Sequence, residues 1–429
     1  MQKHSKTHPY SLYTSQKVLF TCLLALLLTG CSTSSLSFSH DSSSDTQLAS
    51  QKAPDGVSEA GHRLHIEKAT QMLKTMSLDE KLGQLLIVEY TGTLYDNTAL
   101  PDMISQQYVG GLLYQPVNHN FDEPNNTASA ISMLSQKAQK DAKIPLIISI
   151  DQEGGGDLAN KGGVNKLETI FGATQNATDM GLTGDPQVAA KAGSQSADWM
   201  KQLGINTDLA PVVDVQTINP PPDWLATRMF GTDPDTVIKF AGPFIDGLQQ
   251  NGIIGCLKHF PGLGAAVGNP HKVLPKVDRT KDDLEKIDLA PYKALLQQTN
   301  PAMIMTTDVN MPALDAGVPA ELSPKVVDGL LRKELGYSGV IITDGLYMEG
   351  LYDNGYGPHS PSVAELSQIA VKAVMAGNDL LEGPYTVDQV QGIINALEKA
   401  ISTGKLTEDR INQSVMRILT LKMDYGIIK

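Results

Sequence analysis

Two short segments of the chain place residues capable of acid, base and nucleophilic chemistry at the ends of apolar runs. The first contains Lys258 and His259 in the run Lys-His-Phe-Pro-Gly, and His271 follows His259 by twelve residues. The second is the run Ile-Ile-Thr-Asp-Gly, in which Asp344 closes an apolar stretch. A barrel enzyme collects its catalytic groups at the carboxyl ends of its strands. The two segments therefore predict one catalytic site that contains a cation, two imidazoles and a carboxylate.

These segments resemble glycoside hydrolase family 3, and within it the bacterial β-N-acetylglucosaminidases, or β-N-acetylhexosaminidases. In that subgroup the Lys-His-Phe-Pro-Gly strand end binds sugar hydroxyls. A His on the following loop is the general acid/base, and the Asp of a Thr/Ser-Asp-x-Leu-x-Met segment is the nucleophile. The resemblance implies that Asp344 attacks C1 and that His271 serves as acid and then base. It also implies that the terminal sugar is bound by Asp151, Arg228, Lys258 and His259.

The chemistry of these residues agrees with such an activity. A retaining glycosidase needs a carboxylate under the anomeric carbon, a proton donor beside the leaving oxygen, and fixed polar groups for the ring hydroxyls. Asp151 closes the third apolar run, and Arg228 lies in the long loop after the fourth. Two other interpretations remain open. One is that Lys258 and His259 form a buried structural pair, and the other is that Arg228 only holds its loop in place. Asp214 is read as a structural carboxylate. No group of residues has metal-ligand spacing, and no cofactor is expected.

The chain alternates between strand-like and helix-like segments. Apolar, β-branched runs occur at 83–90, 108–115, 145–151, 205–215, 252–260, 302–309, 338–344 and 377–382. Segments of helical period occur at 126–142, 186–202, 234–251, 281–299, 323–335, 362–376, 386–401 and 407–424. Eight strands joined by helical crossovers favour a closed barrel over an open sheet. The predicted fold class is therefore α/β, as a single (β/α)8 TIM-type barrel. Larger relatives carry an acid/base Glu in a second domain, so an acid/base group inside the barrel is expected here.

The N-terminal residues have the composition of an export signal. Residues 1–17 contain three lysines and no acid, an apolar run follows at 18–28, and Leu-Thr-Gly-Cys ends at Cys31. The apolar run is too short to span a bilayer. The order resembles a bacterial lipoprotein signal, which implies a signal peptide over 1–30 and acylation of Cys31. A polar, Ser-rich stretch over 31–54 predicts a flexible tether, and the barrel domain is expected over 55–429.

Composition excludes some classes of partner. The formal net charge is −13, and no basic run stands out in the sequence after the signal. Such a chain is not expected to bind nucleic acid. The expected partners are a carbohydrate substrate and a bacterial membrane. The lipid anchor would attach the protein to this membrane, outside the cytoplasm. Of the three cysteines, only Cys256 remains free after export and acylation, so no intramolecular disulfide is expected.

The sequence also departs from the family pattern. The relatives usually have His where this chain has Leu263, and an Asp where it has Asn269, two residues before His271. Because Asn269 carries no charge, the pKa of His271 is expected to fall toward or below its free value. Three further residues of the family pattern are also replaced. The relatives have Arg where this chain has Gly156, Arg where it has Ala159, and His where it has Asp308. Two alternatives therefore stay open: a glycoside phosphorylase on the same scaffold, and a catalytically weak sugar-binding lipoprotein.

Overall fold

Eight parallel strands form a closed barrel in which each strand pairs with the next and β1 pairs with β8. A computed structural model describes residues 53–54, 56–155, 167–172, 174–352 and 361–429. The strands are β1 Leu86–Val88, β2 Gly111–Tyr114, β3 Ile147–Ile150, β4 Thr207–Asp208, β5 Ile254–Phe260, β6 Met303–Thr306, β7 Val340–Gly345 and β8 Leu380–Glu382. The predicted (β/α)8 barrel is confirmed, and each strand lies in or within one residue of its predicted range.

Helices surround the barrel and connect its strands. The α-helices are α1 Glu59–Thr75, α2 Leu78–Gly83, α3 Leu100–Ser105, α4 Ala128–Asp141, α5 Leu167–Phe171, α6 Ala177–Leu182, α7 Gln187–Leu203, α8 Pro234–Gln249, α9 Lys281–Asp283, α10 Ala290–Gln298, α11 Pro312–Asp315, α12 Val363–Ala376, α13 Val387–Ser402 and α14 Glu408–Asp424. Two π-helical segments, Leu284–Asp288 and Lys325–Glu334, complete the crossovers on either side of β6.

The strands read as apolar runs because the barrel buries both of their faces. Every residue of the eight strands is buried, including the polar ones. Parallel strands covered by helices on one face and by the barrel interior on the other have no solvent-facing positions. The apolar runs therefore continue without alternation, and polar side chains are concentrated at and just beyond the carboxyl ends of the strands, where the substrate enters a barrel of this kind.

Two helical regions differ from the sequence prediction. The predicted helix over 281–299 consists of α9, a π-helical turn and α10, and the helix predicted over 323–335 is π-helical. Helix α1 was not predicted. Two of its histidines bind the carboxylate of Asp424 on α14, with His62 Nδ1 at 2.8 Å and His65 Nδ1 at 2.7 Å. Its Ile66, Ala69 and Leu73 recur at helical spacing and pack against the core, so the sequence carried a helical signal that the prediction did not use.

Several predicted features lie outside the described residues. These are the signal peptide over 1–30, Cys31, all but the last two residues of the tether, and the substitutions Gly156 and Ala159. Within the described residues, no helix combines the length and the apolar character that a membrane-crossing segment needs. Cys256 lies buried in β5 as a free thiol.

Candidate active site

One cavity of about 290 Å³ opens at the carboxyl end of the barrel, and all six predicted catalytic and sugar-binding residues line it. Asp151 follows β3, Lys258 and His259 belong to β5, and Asp344 belongs to β7. Arg228 and His271 come from the loops after β4 and β5. Trp224 also lines the cavity, on the same loop as Arg228. The barrel therefore brings together residues that are separated by up to 193 positions in the sequence.

Two cations on one wall of the cavity are each paired with carboxylates. The Lys258 ammonium, only 2% exposed, binds Asp151 and lies 2.7 Å from Glu153 Oε1. Arg228 donates to both oxygens of Glu153, from Nε at 2.6 Å and from Nη2 at 2.8 Å. Burial by itself raises the pKa of Glu153, but Arg228 and Lys258 lower it to about 2. Gln115 donates to the second oxygen of Asp151 at 2.8 Å. The network fixes these donors and acceptors in the absence of any ligand.

His259 is held by a buried carboxylate behind it. Its Nδ1 lies 2.7 Å from Asp214 Oδ2, and Arg228 Nη2 lies 3.2 Å from its Nε2. Since the guanidinium can only donate, the hydrogen-bond network places the ring proton on Nδ1 and leaves Nε2 as an acceptor. The second oxygen of Asp214 accepts the Leu263 N–H at 2.6 Å. Asp214 therefore has the structural surroundings that the sequence suggested.

The loop that follows β5 is held close to the loop that follows β4. A Cβ added at Gly264 would lie 1.9 Å from the carbonyl oxygen of Val215, so only glycine fits this approach. The Gly264 carbonyl accepts the Thr217 N–H at 3.1 Å. Farther along the same loop, the Pro270 carbonyl accepts the Gly350 N–H at 3.1 Å. These contacts hold the segment that carries His271 over the strand ends.

Asp344 is the carboxylate at the end of β7, and its side chain is partnered only by neutral donors among the described residues. Oδ2 accepts the Thr307 hydroxyl at 2.8 Å, and Oδ1 accepts the Gly345 N–H at 2.9 Å. No ion pair joins it to a lysine or arginine in the described part of the chain, although Lys258 and Arg228 line the same cavity. A carboxylate that is oriented but not neutralised keeps its negative charge available for attack on an electrophilic carbon.

The carboxyl group of Asp308 lies near Asp344 but does not line the cavity. Its side chain is fully buried, and burial, followed by the negative charge of Asp344, raises the pKa of Asp308 well above its usual range. Burial and the charges of Asp308 and Asp344 likewise raise the pKa of Glu321, which accepts the Asp344 N–H at 3.1 Å. The three carboxyl groups cannot all ionise at low cost, and the raised pKa values of Asp308 and Glu321 favour the neutral form of those two groups.

His271 lies exposed at the mouth of the cavity, and its Nδ1 is 3.1 Å from Asn269 Oδ1. The amide of Asn269 therefore faces the imidazole and orients it, which leaves Nε2 free for a substrate. Desolvation by the surrounding protein lowers the pKa of His271, and Arg228 and His259 lower it further, whereas Asp344 and Glu349 oppose them. The lowered pKa of His271 agrees with the expectation from the sequence. Its largest cause, however, is desolvation and not the missing charge at residue 269.

Replacing Asn269 with Asp is expected to move the alkaline limb of activity to higher pH. A general acid works while it is protonated, so its activity is lost as the pH rises through its pKa. A carboxylate 3.1 Å from Nδ1 favours imidazolium and raises that pKa. Cleavage of substrates with poor leaving groups should accelerate by roughly ten- to a thousandfold. The measurement is the pH dependence of kcat/KM on a disaccharide.

Asn269→Ala is the matched control, because it removes the acceptor and adds no charge. This variant should slow the disaccharide and leave the limb at or below its wild-type pH. An unaltered pH profile and rate in Asn269→Asp would mean that His271 is not the acid.

Sequence patterns did not identify several residues of the cavity. Glu153, Glu382, Tyr347 and Gln115 line it, and Thr307 binds Asp344. Glu153 was visible two residues after Asp151, but nothing local indicates that it pairs with Arg228, 75 positions away. Glu382 closes an apolar run, which is the signal that identified Asp344. Within the described residues, no three His, Cys, Asp or Glu side chains form a metal-binding group.

Comparison with known proteins agrees with this geometry. Residues 77–421 match the glycosyl hydrolase family 3 N terminal domain. The chain is 30% identical over 356 residues to the Beta-hexosaminidase LpqI of Mycobacterium tuberculosis, covering 81% of this chain and 83% of that protein. It is 31% identical over 347 residues to the Beta-hexosaminidase A of Pseudoalteromonas piscicida, covering 75% of this chain and 54%, about half, of that protein.

A solved structure gives the same result. The glycoside hydrolase family 3 beta-N-acetylglucosaminidase from Paenibacillus sp. str. FPU-7 superposes with a TM-score of 0.71 at 31% identity, over 82% of this chain and 63% of that one. The family match extends from the start of α2 almost to the end of α14. The chain therefore belongs to glycosyl hydrolase family 3.

Proposed function

We propose that this protein is a retaining glycoside hydrolase that releases a terminal, non-reducing β-linked sugar, above all β-N-acetylglucosamine. Asp344 attacks the anomeric carbon and forms a covalent glycosyl intermediate, and His271 protonates the leaving oxygen and then activates water. The observation that carries the proposal is that Asp344 and His271 line one cavity with four further polar residues suited to a sugar. The names of the relatives support N-acetylglucosamine as the sugar.

The roles follow from the partners of each group. Asp344 has no cation among its described partners, whereas Asp151 and Glu153 are paired with Lys258 and Arg228. Among the described residues, Asp344 therefore combines access to the cavity with a carboxyl group that no cation occupies. Hydrogen bonds to sugar hydroxyls come from the paired wall, where the geometry is fixed in advance. The transition state of glycoside cleavage develops positive charge at C1, and the excess negative charge of the cavity stabilises it.

The same charge distribution disfavours the phosphorylase alternative. Asp151, Glu153 and Asp344 face the cavity with only Lys258 and Arg228 as permanent cations among its lining residues. In the second step Asp344 is esterified to the sugar and carries no charge, so Asp151 and Glu153 balance Lys258 and Arg228. An inorganic phosphate that replaced water would find both cations already paired with these carboxylates. Water, being neutral, needs no cation to neutralise it.

The proposal is tested with a panel of aryl β-glycosides and the full-length protein in detergent. The N-acetylglucosaminide should be cleaved fastest, and the first sugar product should have the β configuration. Added phosphate should change neither rate nor product. Formation of a sugar 1-phosphate would show the phosphorylase instead. Calorimetric binding of N-acetylglucosamine with no turnover of any glycoside would show the sugar-binding lipoprotein.

We also propose that the mature protein is anchored by lipid at Cys31 on the outer side of a bacterial cytoplasmic membrane or beyond it. The support is the order of a basic segment, an apolar run and Leu-Thr-Gly-Cys in the sequence. Cys31→Ser is expected to stall processing or to release the protein from membranes, because it removes the acylated thiol. Detergent partitioning and the mass of the N-terminal peptide measure this. A water-soluble wild-type protein that retains residues before Cys31 contradicts the proposal.

A further inference from the structure

Glu382 has an unpartnered oxygen at the wall of the cavity. It closes β8, lines the cavity and is only 3% exposed. Its Oε2 is buried and accepts no hydrogen bond from any described residue. Leaving a buried polar atom without a partner is costly, and native proteins do so mainly where a ligand or a water completes the site. The free oxygen therefore indicates a contact that the protein alone does not make.

The surroundings of Glu382 do not supply that contact. Among the neighbouring carboxyl groups, Glu89 has the largest effect on the charge of Glu382, and its Oε2 already accepts hydrogen bonds from Asn118 Nδ2 at 2.6 Å and from the Tyr385 hydroxyl at 2.9 Å. The Lys258 ammonium binds Asp151 and Glu153. Burial, then the negative charges of Glu89, Asp151 and Asp344, raises the pKa of Glu382 well above its usual range. Glu382 is therefore a largely neutral carboxyl group that can donate and accept a hydrogen bond.

The position of Glu382 relative to Asp344 decides what it can bind. Gly345, next to Asp344 on β7, pairs with Glu382 on β8. Lys258 and His259 lie on β5, on the opposite side of β7 in the order of the barrel. A sugar ring whose C1 lies over Asp344 is thus approached from both sides, by the paired cations and histidine on one side and by Glu382 on the other.

We propose that Glu382 is a further substrate-binding residue, which exchanges a hydrogen bond with one hydroxyl group of the terminal sugar. A hydroxyl both donates and accepts, so it matches the carboxyl group in either ionisation state. An anionic substituent on this side of the ring is disfavoured, because it would approach Asp344 and find both lining cations, Lys258 and Arg228, already paired with carboxylates. The cavity thus selects neutral sugars over uronic acids. This inference rests on the proposed glycosidase function.

The test compares a parent aryl glycoside with its monodeoxy analogues, each lacking one ring hydroxyl. In the wild type, one of the monodeoxy analogues should have a kcat/KM about ten- to a hundredfold below that of the parent glycoside, because it lacks the hydroxyl that contacts Glu382. In Glu382→Leu the parent should fall to the level of that analogue, so the ratio of the two approaches one. Glu382→Gln should keep the ratio within about threefold of the wild-type value, because the amide also donates and accepts.

Asp208→Asn is the matched control. Asp208 is also a buried carboxyl at this end of the barrel with an unpartnered oxygen, but it does not line the cavity. Its variant should keep the wild-type ratio for every analogue, even if both rates fall. A purely structural role of Glu382 would lower the parent and all analogues alike in Glu382→Leu and leave every ratio unchanged, and that result overturns the inference.

Activity measurements on the wild type distinguish failure of the proposed glycosidase function from failure of the Glu382 contact. If the wild type cleaves no glycoside, the same ratios are measured as calorimetric affinities of the free sugar and its deoxy analogues. Loss of one position-specific ratio in Glu382→Leu then still supports the contact, whereas unchanged ratios overturn it. A wild type that cleaves the parent with no ratio altered by Glu382→Leu leaves the glycosidase proposal intact and removes only the contact.

Discussion

Replacing Asp344 with Asn is expected to lower kcat by about three to six orders of magnitude, the range seen when a catalytic nucleophile is removed. That loss corresponds to about 4 to 8 kcal/mol of transition-state stabilisation. The amide keeps the volume of the side chain and can still contact Thr307, but it cannot attack carbon as a charged nucleophile. The measurement is the rate of aglycone release from a good and a poor leaving group. The rate should fall for both substrates, since the glycosyl intermediate no longer forms.

Asp308→Asn is the matched control for this prediction. Asp308 lies one strand away from Asp344, is fully buried and does not line the cavity. Because burial and Asp344 keep its carboxyl group neutral, asparagine reproduces its charge and its shape. The variant should retain activity within about tenfold of the wild type, as expected for a volume-conserving change. Loss of activity in Asp308→Asn with survival in Asp344→Asn would reverse the assignment.

Lys258→Met should combine a large loss of stability with a loss of activity. The ammonium neutralises Asp151 and Glu153 in a buried position, so its removal leaves two carboxylates short of a partner. Breaking a buried pair in this way costs about 3–5 kcal/mol of the free energy of unfolding. Loss of the proposed contact between Lys258 and a sugar hydroxyl should lower kcat/KM by roughly ten- to a hundredfold. Chemical denaturation and steady-state kinetics at neutral pH measure the two effects.

The stability lost in Lys258→Met should depend on pH in a definite direction. In the wild type the pKa of Glu153 in the folded state is about 2, below its unfolded value of about 4.3. The stability that Glu153 contributes is therefore present above about pH 4.3 and is lost as the pH falls toward 2. In Lys258→Met the folded-state pKa rises, so the deficit relative to the wild type should shrink as the medium becomes acidic. A deficit that does not change with pH would contradict the pairing.

Lys422→Met is the control for removing a buried lysine as such. Its ammonium binds the neutral acceptors Gln84 Oε1 at 2.7 Å and Gly110 O at 2.9 Å, and none of these three residues lines the cavity. Burial lowers the pKa of Lys422 to about 7, so the charge is already disfavoured there. Its removal leaves no unpaired carboxylate, and it should cost less stability than Lys258→Met with little change in activity.

The sequence was sufficient for the barrel because each strand lies within a short, largely apolar run and is buried on both faces. The run that became β7 is Val340–Gly345, and its apolar residues meet helices outside and the barrel interior inside. Helix α1 was missed although its Ile66, Ala69 and Leu73 have helical spacing and pack against the core. The π-helical turn at Leu284–Asp288 was also missed, because its apolar residues fit an ordinary helical period within one turn.

The candidate site was predictable where chemistry coincides with a strand end. Asp344, Lys258 and His259 each close an apolar run, and a barrel gathers such ends on one face. The pairing of Glu153 with Arg228 and Lys258 depends on contacts across 75 and 105 positions of sequence, which no local pattern encodes. Glu382 satisfied the same strand-end rule as Asp344 but had no matching motif beside it.

Covalent trapping tests the central claim most directly. A 2-fluoro glycosyl reagent with a good leaving group forms the glycosyl intermediate and slows its hydrolysis, so the nucleophile retains the sugar. Digestion and tandem mass spectrometry of the treated protein should locate the added sugar on the peptide that contains Asp344. Treatment of Asp344→Asn should give no label. A sugar attached to Asp308 or Glu153, or time-dependent inactivation with no label on Asp344, would contradict the account.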